Sequence, residues 1–410
     1  MLIEGGRLAG LGAAYATEEP VHVLNVRAEV MSARLDDPDH FVRFVEQHGG
    51  TRMDFVLRRQ FGDYLKNQLA EALGNGGELV ENRAVGAERT SGGWIVTTDS
   101  GDKIEASALV LAIGNQPPEP LRTLAELGDR FINNPWSQEA RSAEQAAAAS
   151  GSDVLLLGTG LTMVDAALAL EAAGHQGGIV ALSRRGLIPR GHVETPGPPA
   201  PVSAEDVPGG NVLGLWRWLR RRAREVDWRA AVDSLRPHAH SLWQGLDQRE
   251  QRRFLRHARP WWDVHRHRIA PEVSRTIKRM IAEGRLEIAA GRVRSARDVD
   301  GGIEVTLTRR GRDREEVRTF GYVFNCTGPL GAIERSRDPL IRQLLADGLI
   351  RPDSLGIALA VDDRSRATGA DRLWALGPMT KGKFWEIIAV PDIRVQAAAV
   401  AEDIAKELQP

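Results

Sequence analysis

The sequence predicts an α/β fold of two Rossmann-like domains, the second inserted into the first and carrying a helical elaboration. Three observations predict it. Residues 152–186 read as strand, glycine turn, helix and strand. Two stretches flank that unit and repeat one pattern: GGWIVTTDSGDKIEASALVLAIGNQPPEP at 92–120 and GGIEVTLTRRGRDREEVRTFGYVFNCTGPLG at 301–331. Finally, 205–285 carries apolar residues at helical spacing and most of the tryptophans.

The inserted unit is the most informative. Val154–Leu157 is a fully apolar strand, Gly158-Thr159-Gly160 turns the chain, Leu161–Ala173 has helical periodicity, and Ile179–Leu182 is a second strand. In such a unit the first glycine permits a tight turn and the second lets a pyrophosphate approach the backbone. The helix then turns its unpaired N–H groups, starting at Leu161 and Thr162, toward the phosphates. Met163 stands where a third glycine is usual, so a glycine-rich turn without a ligand is the competing reading. After the second strand come Ser183, Arg184 and Arg185 instead of an acid. A serine hydroxyl and guanidinium groups suit a 2′-phosphate and no carboxylate is present for a free 2′-hydroxyl, so NADP is favoured over NAD. Two solvated arginines are the alternative.

In the repeated stretches, Gly-Gly precedes an alternating strand, a polar turn and a second strand follow, and a third strand ends at Gly114 or Gly328. Around the insertion, 410 residues suffice for two domains, and the hydrophobic content of 42% is that of an ordinary globular protein. No apolar run approaches the roughly 18 residues of a membrane span, so no membrane association is expected and a cytoplasmic location follows. The net charge of -1 gives no overall footprint for nucleic acid. Cys326 is the only cysteine, which excludes an internal disulfide or dithiol relay and requires any redox chemistry to come from a cofactor.

DVHRHR at 263–268 places Asp263, His265 and His267 on one face of a strand, where they could ligate a metal; on a helix they diverge. No fourth ligand is apparent, so no metal is expected, leaving nicotinamide or substrate contact and plain packing as open readings. Residues 205–270 hold fourteen Arg against eight acids and six Trp. That mixture suits an anionic ligand, or a helical surface whose tryptophans face inward.

Longer segments carry a resemblance. GLGAAYATEEPVHVLNVRAEVMSARLDDPDHFVRF (10–44), LRRQFGDYL (57–65), FLRHARPWWDVHRHRIAP (254–271) and LGPMTKGKFWEIIAVPDIRVQA (376–397) are similar to bacterial FAD/NAD(P)-binding (YdhS-like) flavoprotein oxidoreductases. The paired strand-to-glycine segments resemble those linking an FAD domain to its inserted NAD(P)H domain. The resemblance implies an FAD domain at 1–120 and 321–410 and an NAD(P)H domain at 121–320, with a helical subdomain at about 205–285. It implies that Tyr15 and Asn25 lie near the flavin, and it gives Gly114, Gly328, Gly377, Trp385, Glu386, Pro391 and Gln396 cofactor-proximal places. As plain packing, Trp385 and Val390 would be core.

MLIEGG resembles the tail of the second FAD-domain strand, with Glu4 as the ribose acid before Gly5-Gly6. The resemblance implies a first strand and G-x-G-x-x-G loop, about 30 residues, before this point; the expectation is that they are lacking here, either because the start codon is placed too late or because the protein is a shortened relative. The function implied is an FAD-dependent NAD(P)H oxidoreductase that passes hydride from NADPH to flavin, then electrons to oxygen or an organic acceptor. The alternative is a flavin-free NADPH-binding protein without turnover. No catalytic side chain, substrate or oligomeric state is legible.

Overall fold

The computed structural model describes residues 1–5, 9–119, 121–312 and 314–409; Gly6 and the boundary residue Pro120 lie outside them. In chain order the strands are β1 (Leu2–Ile3), β2 (Leu79–Val80), β3 (Ala84–Arg89), β4 (Trp94–Thr98), β5 (Lys103–Ala106), β6 (Leu109–Leu111) and β7 (Phe131–Ile132). Then follow β8 (Val154–Leu157), β9 (Ile179–Ser183), β10 (Leu286–Val299), β11 (Gly302–Arg309), β12 (Glu315–Phe320), β13 (Tyr322–Asn325) and β14 (Leu373–Ala375). No helix among the described residues is long and apolar enough to cross a membrane.

The inserted domain is a seven-stranded sheet in the order β12-β11-β10-β9-β8-β13-β7. Strands β7, β13, β8, β9 and the start of β10 run parallel, and β11 and β12 fold back antiparallel. Parallel strands covered on both faces need side chains that are apolar on both, which is why VLLL and IVAL are unbroken hydrophobic runs. Alternation divides them. Val154 and Leu156 pack with Met163 and Ile277 from helices Leu161–Ala172 and Pro271–Ala282, whereas Leu155 and Leu157 pack with Ile303, Val305 and Phe320 from the meander.

Strand β13 differs from the sequence expectation. The domain bounds assign it to the second part of the first domain, yet it lies between β8 and β7, with Val323 and Phe324 fully buried. The repeat made β13 the counterpart of β6, and the local patterns do match; the difference is the partner each strand finds. Strand β6 pairs with β14, whereas β13 pairs with the glycine-loop strand.

The first domain consists of the meander β3-β4-β5 and two separate parallel pairs, β1-β2 and β6-β14. Its core gathers Trp94, Leu111, Ile341, Leu344 and Leu373. The closing helix, Val390–Glu407, is pinned by Asp403. That carboxylate accepts from Arg366 Nε (2.6 Å), Arg364 Nη1 (3.2 Å) and the indole of the fully buried Trp374 (3.0 Å). The arginine bonds pull its pKa down to about 2. A depressed carboxylate stabilises the fold above its unfolded pKa and loses that contribution as pH falls through the folded value. Asp403→Asn should therefore cost about 2 kcal/mol at pH 7 and less near pH 2. Urea midpoints at both pH values check this, and an equal cost at both would contradict it.

The helical region begins with Val212–Glu225 and ends with Arg259–Arg266, and it docks on the segment before the closing helix. Trp243 stacks on Trp385 at 4.7 Å and donates its indole N–H to the Gly382 carbonyl (2.8 Å). The tryptophans are only partly inward: Trp218 and Trp243 are buried, whereas Trp261 is 38% exposed.

Candidate functional site

The glycine loop leaves β8 as predicted, and its two glycines have different jobs. Gly158 has φ +111°, and a Cβ there would lie 2.2 Å from the Cys326 carbonyl oxygen at the end of β13. It exists for close packing. Gly160 is at φ -87°, and nothing lies within 4 Å of where its Cβ would stand. No side chain caps the helix that follows, and the first intrahelical bond runs from Val164 N–H to the Gly160 carbonyl (3.2 Å). The N–H groups of Leu161 and Thr162 therefore have no hydrogen-bond partner among the described residues and stand at the positive end of the helix dipole.

At the end of β9 the three predicted phosphate ligands separate. Thr159 Oγ1 donates to the Leu187 carbonyl, so Ser183 must donate to Thr159 across their 2.8 Å contact while accepting from Gly186 N–H at 3.0 Å. Its one proton is spent. Ser183 therefore braces the turn, contrary to its assignment as a 2′-phosphate donor, and Thr159 is its partner in that brace. Arg185 reaches the Arg256 carbonyl (3.3 Å). Arg184 is exposed and has no partner among the described residues.

On the first-domain side, Gly114, Gly328 and Gly377 all adopt positive φ. The segments after Gly114 and around Gly328 run side by side, joined by Leu330 N–H to the Gln116 carbonyl (3.1 Å). Fully buried Asn325 fastens them by donating to the Glu119 carbonyl (3.1 Å) and to Asn133 (2.9 Å). Sequence reasoning overlooked Asn325; an asparagine ending an apolar strand was the available signal. Glu4 follows β1, and its backbone N–H donates to the Val80 carbonyl (3.1 Å). Tyr15 packs edge-on against Phe61 at 4.7 Å, and burial raises its phenol pKa. Asn25 and Leu161 line one cleft at the domain junction, together with Arg58 and Asp165. Arg58 pairs with Asp165 at 2.9 Å, and the Asp165 carbonyl accepts from the His22 ring (3.2 Å). This latch of the first domain to the nucleotide-loop helix left no local mark in the sequence.

The WEIIAVPDIRVQ segment is more structural than the resemblance implied. Glu386, at φ +69°, accepts from Trp262 Nε1 and pairs with Arg266 Nε at 2.9 Å. Trp385 is held between Trp243 and Phe254, with its indole nitrogen buried and without a partner among the described residues. Gln396 accepts from Gly377 N–H (2.8 Å) and donates to Ser365 and Thr380, fixing the Gly377 turn from behind. Pro391 sits in the uncapped first turn of the closing helix, where its missing N–H costs nothing. Asp263 and His265 lie on helix Arg259–Arg266 and His267 follows it, so the strand reading that aligned all three does not hold. Asp263 pairs with Arg259 (3.2 Å), and His265 packs edge-on to Trp228.

A family model described as FAD-NAD(P)-binding matches residues 1–116. A search of curated proteins by sequence gives no match. Among solved structures, the reduced form of ornithine hydroxylase (PvdA) from Pseudomonas aeruginosa has a TM-score of 0.67 at 16% identity, covering 99% of this chain and 91% of that one. The ornithine N-hydroxylase KtzI of Kutzneria sp. 744, with reduced FAD, NADP+ and L-ornithine, gives 0.65 at 15%, covering 99% and 92%. The FAD-bound cadaverine monooxygenase DfoA of Erwinia amylovora gives 0.64 at 14%, covering 98% and 93%. This chain therefore has the two-domain fold of those flavoproteins from end to end, and its first 116 residues match the FAD-NAD(P)-binding family.

Proposed function

We propose that the protein is an FAD-dependent NAD(P)H oxidoreductase, with NADPH as reductant and a small molecule as substrate. The observation that carries the reading is the uncapped helix start behind Gly160, with Arg184, beside the adjacent strand, unpaired among the described residues. These residues fit a dinucleotide: the N–H groups of Leu161 and Thr162 would hold its pyrophosphate and Arg184 its 2′-phosphate. On the flavin side Glu4, Gly114, Gly377 and the first turn of the closing helix are the candidate holders. When bound, the two coenzymes supply hydride transfer and onward delivery of electrons to oxygen, as in a monooxygenase, or to an organic acceptor. The chain's own part is to orient them. Asn25, Arg58 and Leu161 face one cleft between the domains, and the Arg58–Asp165 pair keeps its walls in register.

A second reading, an NADPH-binding protein without flavin, draws support from the first domain, where β1-β2 and β6-β14 share no ladder. Spectroscopy separates the two. A yellow protein whose flavin absorbance bleaches anaerobically with NADPH supports the oxidoreductase; a colourless one whose melting temperature rises with NADPH supports the other. Arg184→Ala should lower the preference for NADPH over NADH at least about tenfold, the worth of one charge-assisted bond. An unchanged ratio of the two dissociation constants would remove Arg184 from the site.

A further inference from the structure

A small cavity, about 20 Å³ before it widens into solvent, opens between the Gly114–Gln116 turn and Pro378–Lys381, with Leu330 and Ile333 in its wall. Lys381 is the one charged side chain lining it. Its ammonium makes one hydrogen bond among the described residues, to the Leu330 carbonyl at 3.4 Å, and has no carboxylate within ion-pair distance among them. Two residues on, Lys383 pairs with Asp363 at 2.7 Å, so an unpaired lysine is not the habit of this loop.

The acid that acts on Lys381 from nearby, Asp353, is already engaged. Its oxygens accept the backbone N–H groups of Ile357 (2.7 Å), Ala358 (2.9 Å) and Leu355 (3.1 Å). The other neighbouring charge, Arg259, is also positive, and it already pairs with Asp263. Gln116 gives its carbonyl oxygen to the Ser336 hydroxyl (3.2 Å), and its amide N–H groups have no partner among the described residues. The cavity thus offers hydrogen-bond donors and one positive charge with nothing to neutralise it. Burying such a charge is unfavourable unless something of opposite sign arrives. Consistently, burial pushes the lysine pKa down to about 8.

We propose that this cavity is an oxyanion site with Lys381 as its fixed charge, and that it takes a phosphate group of the flavin nucleotide. The proposal rests on the flavin reading above, because Gly114 lines the cavity and Gly377 adjoins it. A phosphate meets the lysine as a point charge and the amide as an acceptor of hydrogen bonds.

The test titrates riboflavin, FMN and FAD, which share a ring and differ in phosphate, into wild type, Lys381→Met and Lys381→Arg, reading flavin fluorescence. Wild type should prefer the phosphorylated forms. Lys381→Met should lose about tenfold or more in FAD affinity, leave riboflavin unchanged, and be rescued by Lys381→Arg. Wild-type affinity for FAD should also weaken as pH rises from 7 to 9.5 and the ammonium discharges, with Lys381→Met flat over that range. Equal FAD binding by wild type and Lys381→Met overturns the site and leaves the flavin reading standing. Equal losses for riboflavin and FAD also overturn it, because packing alone would act on both. Binding of no flavin by wild type overturns both readings. Should Lys381→Met fail to fold, the wild-type pH series and Lys381→Arg still decide: a pH-independent FAD affinity overturns the site.

Discussion

Gly158→Ala is expected to destroy the nucleotide domain, whereas Gly160→Ala is expected to leave it folded and unable to hold NADPH. The two glycines sit two residues apart in one loop, and composition alone does not distinguish them. A methyl group on Gly158 would meet the Cys326 carbonyl oxygen at 2.2 Å and its carbon at 2.7 Å, and an L residue at φ +111° is strained as well. Relief requires β8 and β13 to part inside the sheet, at a cost above about 3 kcal/mol. A methyl on Gly160 meets nothing and keeps an ordinary φ, so stability should change by no more than about 0.5 kcal/mol. It would, however, stand where a pyrophosphate approaches the helix. Urea unfolding and NADPH-induced shifts in melting temperature, measured on both variants, make the comparison. A Gly160→Ala protein that binds NADPH as tightly as wild type would end the assignment of this loop to phosphate.

Glu386→Ala should destabilise the protein by about 3 kcal/mol and loosen the helical region from the closing segment. The carboxylate is 7% exposed and is the shared acceptor for Trp262 and Arg266. Its removal leaves a guanidinium that is one-tenth exposed with no acid beside it. Breaking a buried pair from one side strands the other charge, which is why the cost exceeds that of a surface ion pair. Glu386→Gln, which keeps an acceptor for one donor, should lose less. Loosening should also red-shift the emission of the stacked Trp243 and Trp385. If Glu386→Ala melts like wild type but retains less flavin, the residue is a cofactor ligand and the structural role assigned to it is wrong.

These contrasts mark where sequence reading succeeded. The β8 unit was legible to within one residue at each boundary because an all-apolar strand, a Gly-x-Gly turn and a helical period are local signals. The meander repeat was legible for the same reason. What escaped was pairing at a distance. Nothing near Tyr322–Asn325 says that the strand inserts beside β8, because a strand buried on both faces reads alike in either sheet. Ser183 shows the same limit in the candidate site. Its position pointed to phosphate, but its proton goes to Thr159, 24 residues earlier. Glu386, Gln396 and Trp385 were placed near a cofactor by resemblance, whereas their contacts are with Arg266, Gly377 and Trp243. Lys381 carries no local mark in LGPMTKGKFW, since an unpaired charge becomes visible only once every possible partner has been located.

The place of β13 also bears on how the polypeptide acquires its shape during synthesis. Its neighbours β7 and β8 leave the ribosome some 165 to 190 residues before it does, and β6 waits still longer for β14. Neither sheet can close while its last parallel member is unmade, so hydrophobic edges stay open through most of translation. Such a chain carries unpaired strand edges open to association until its final quarter emerges, so aggregation during synthesis is the failure to which this sheet order exposes it.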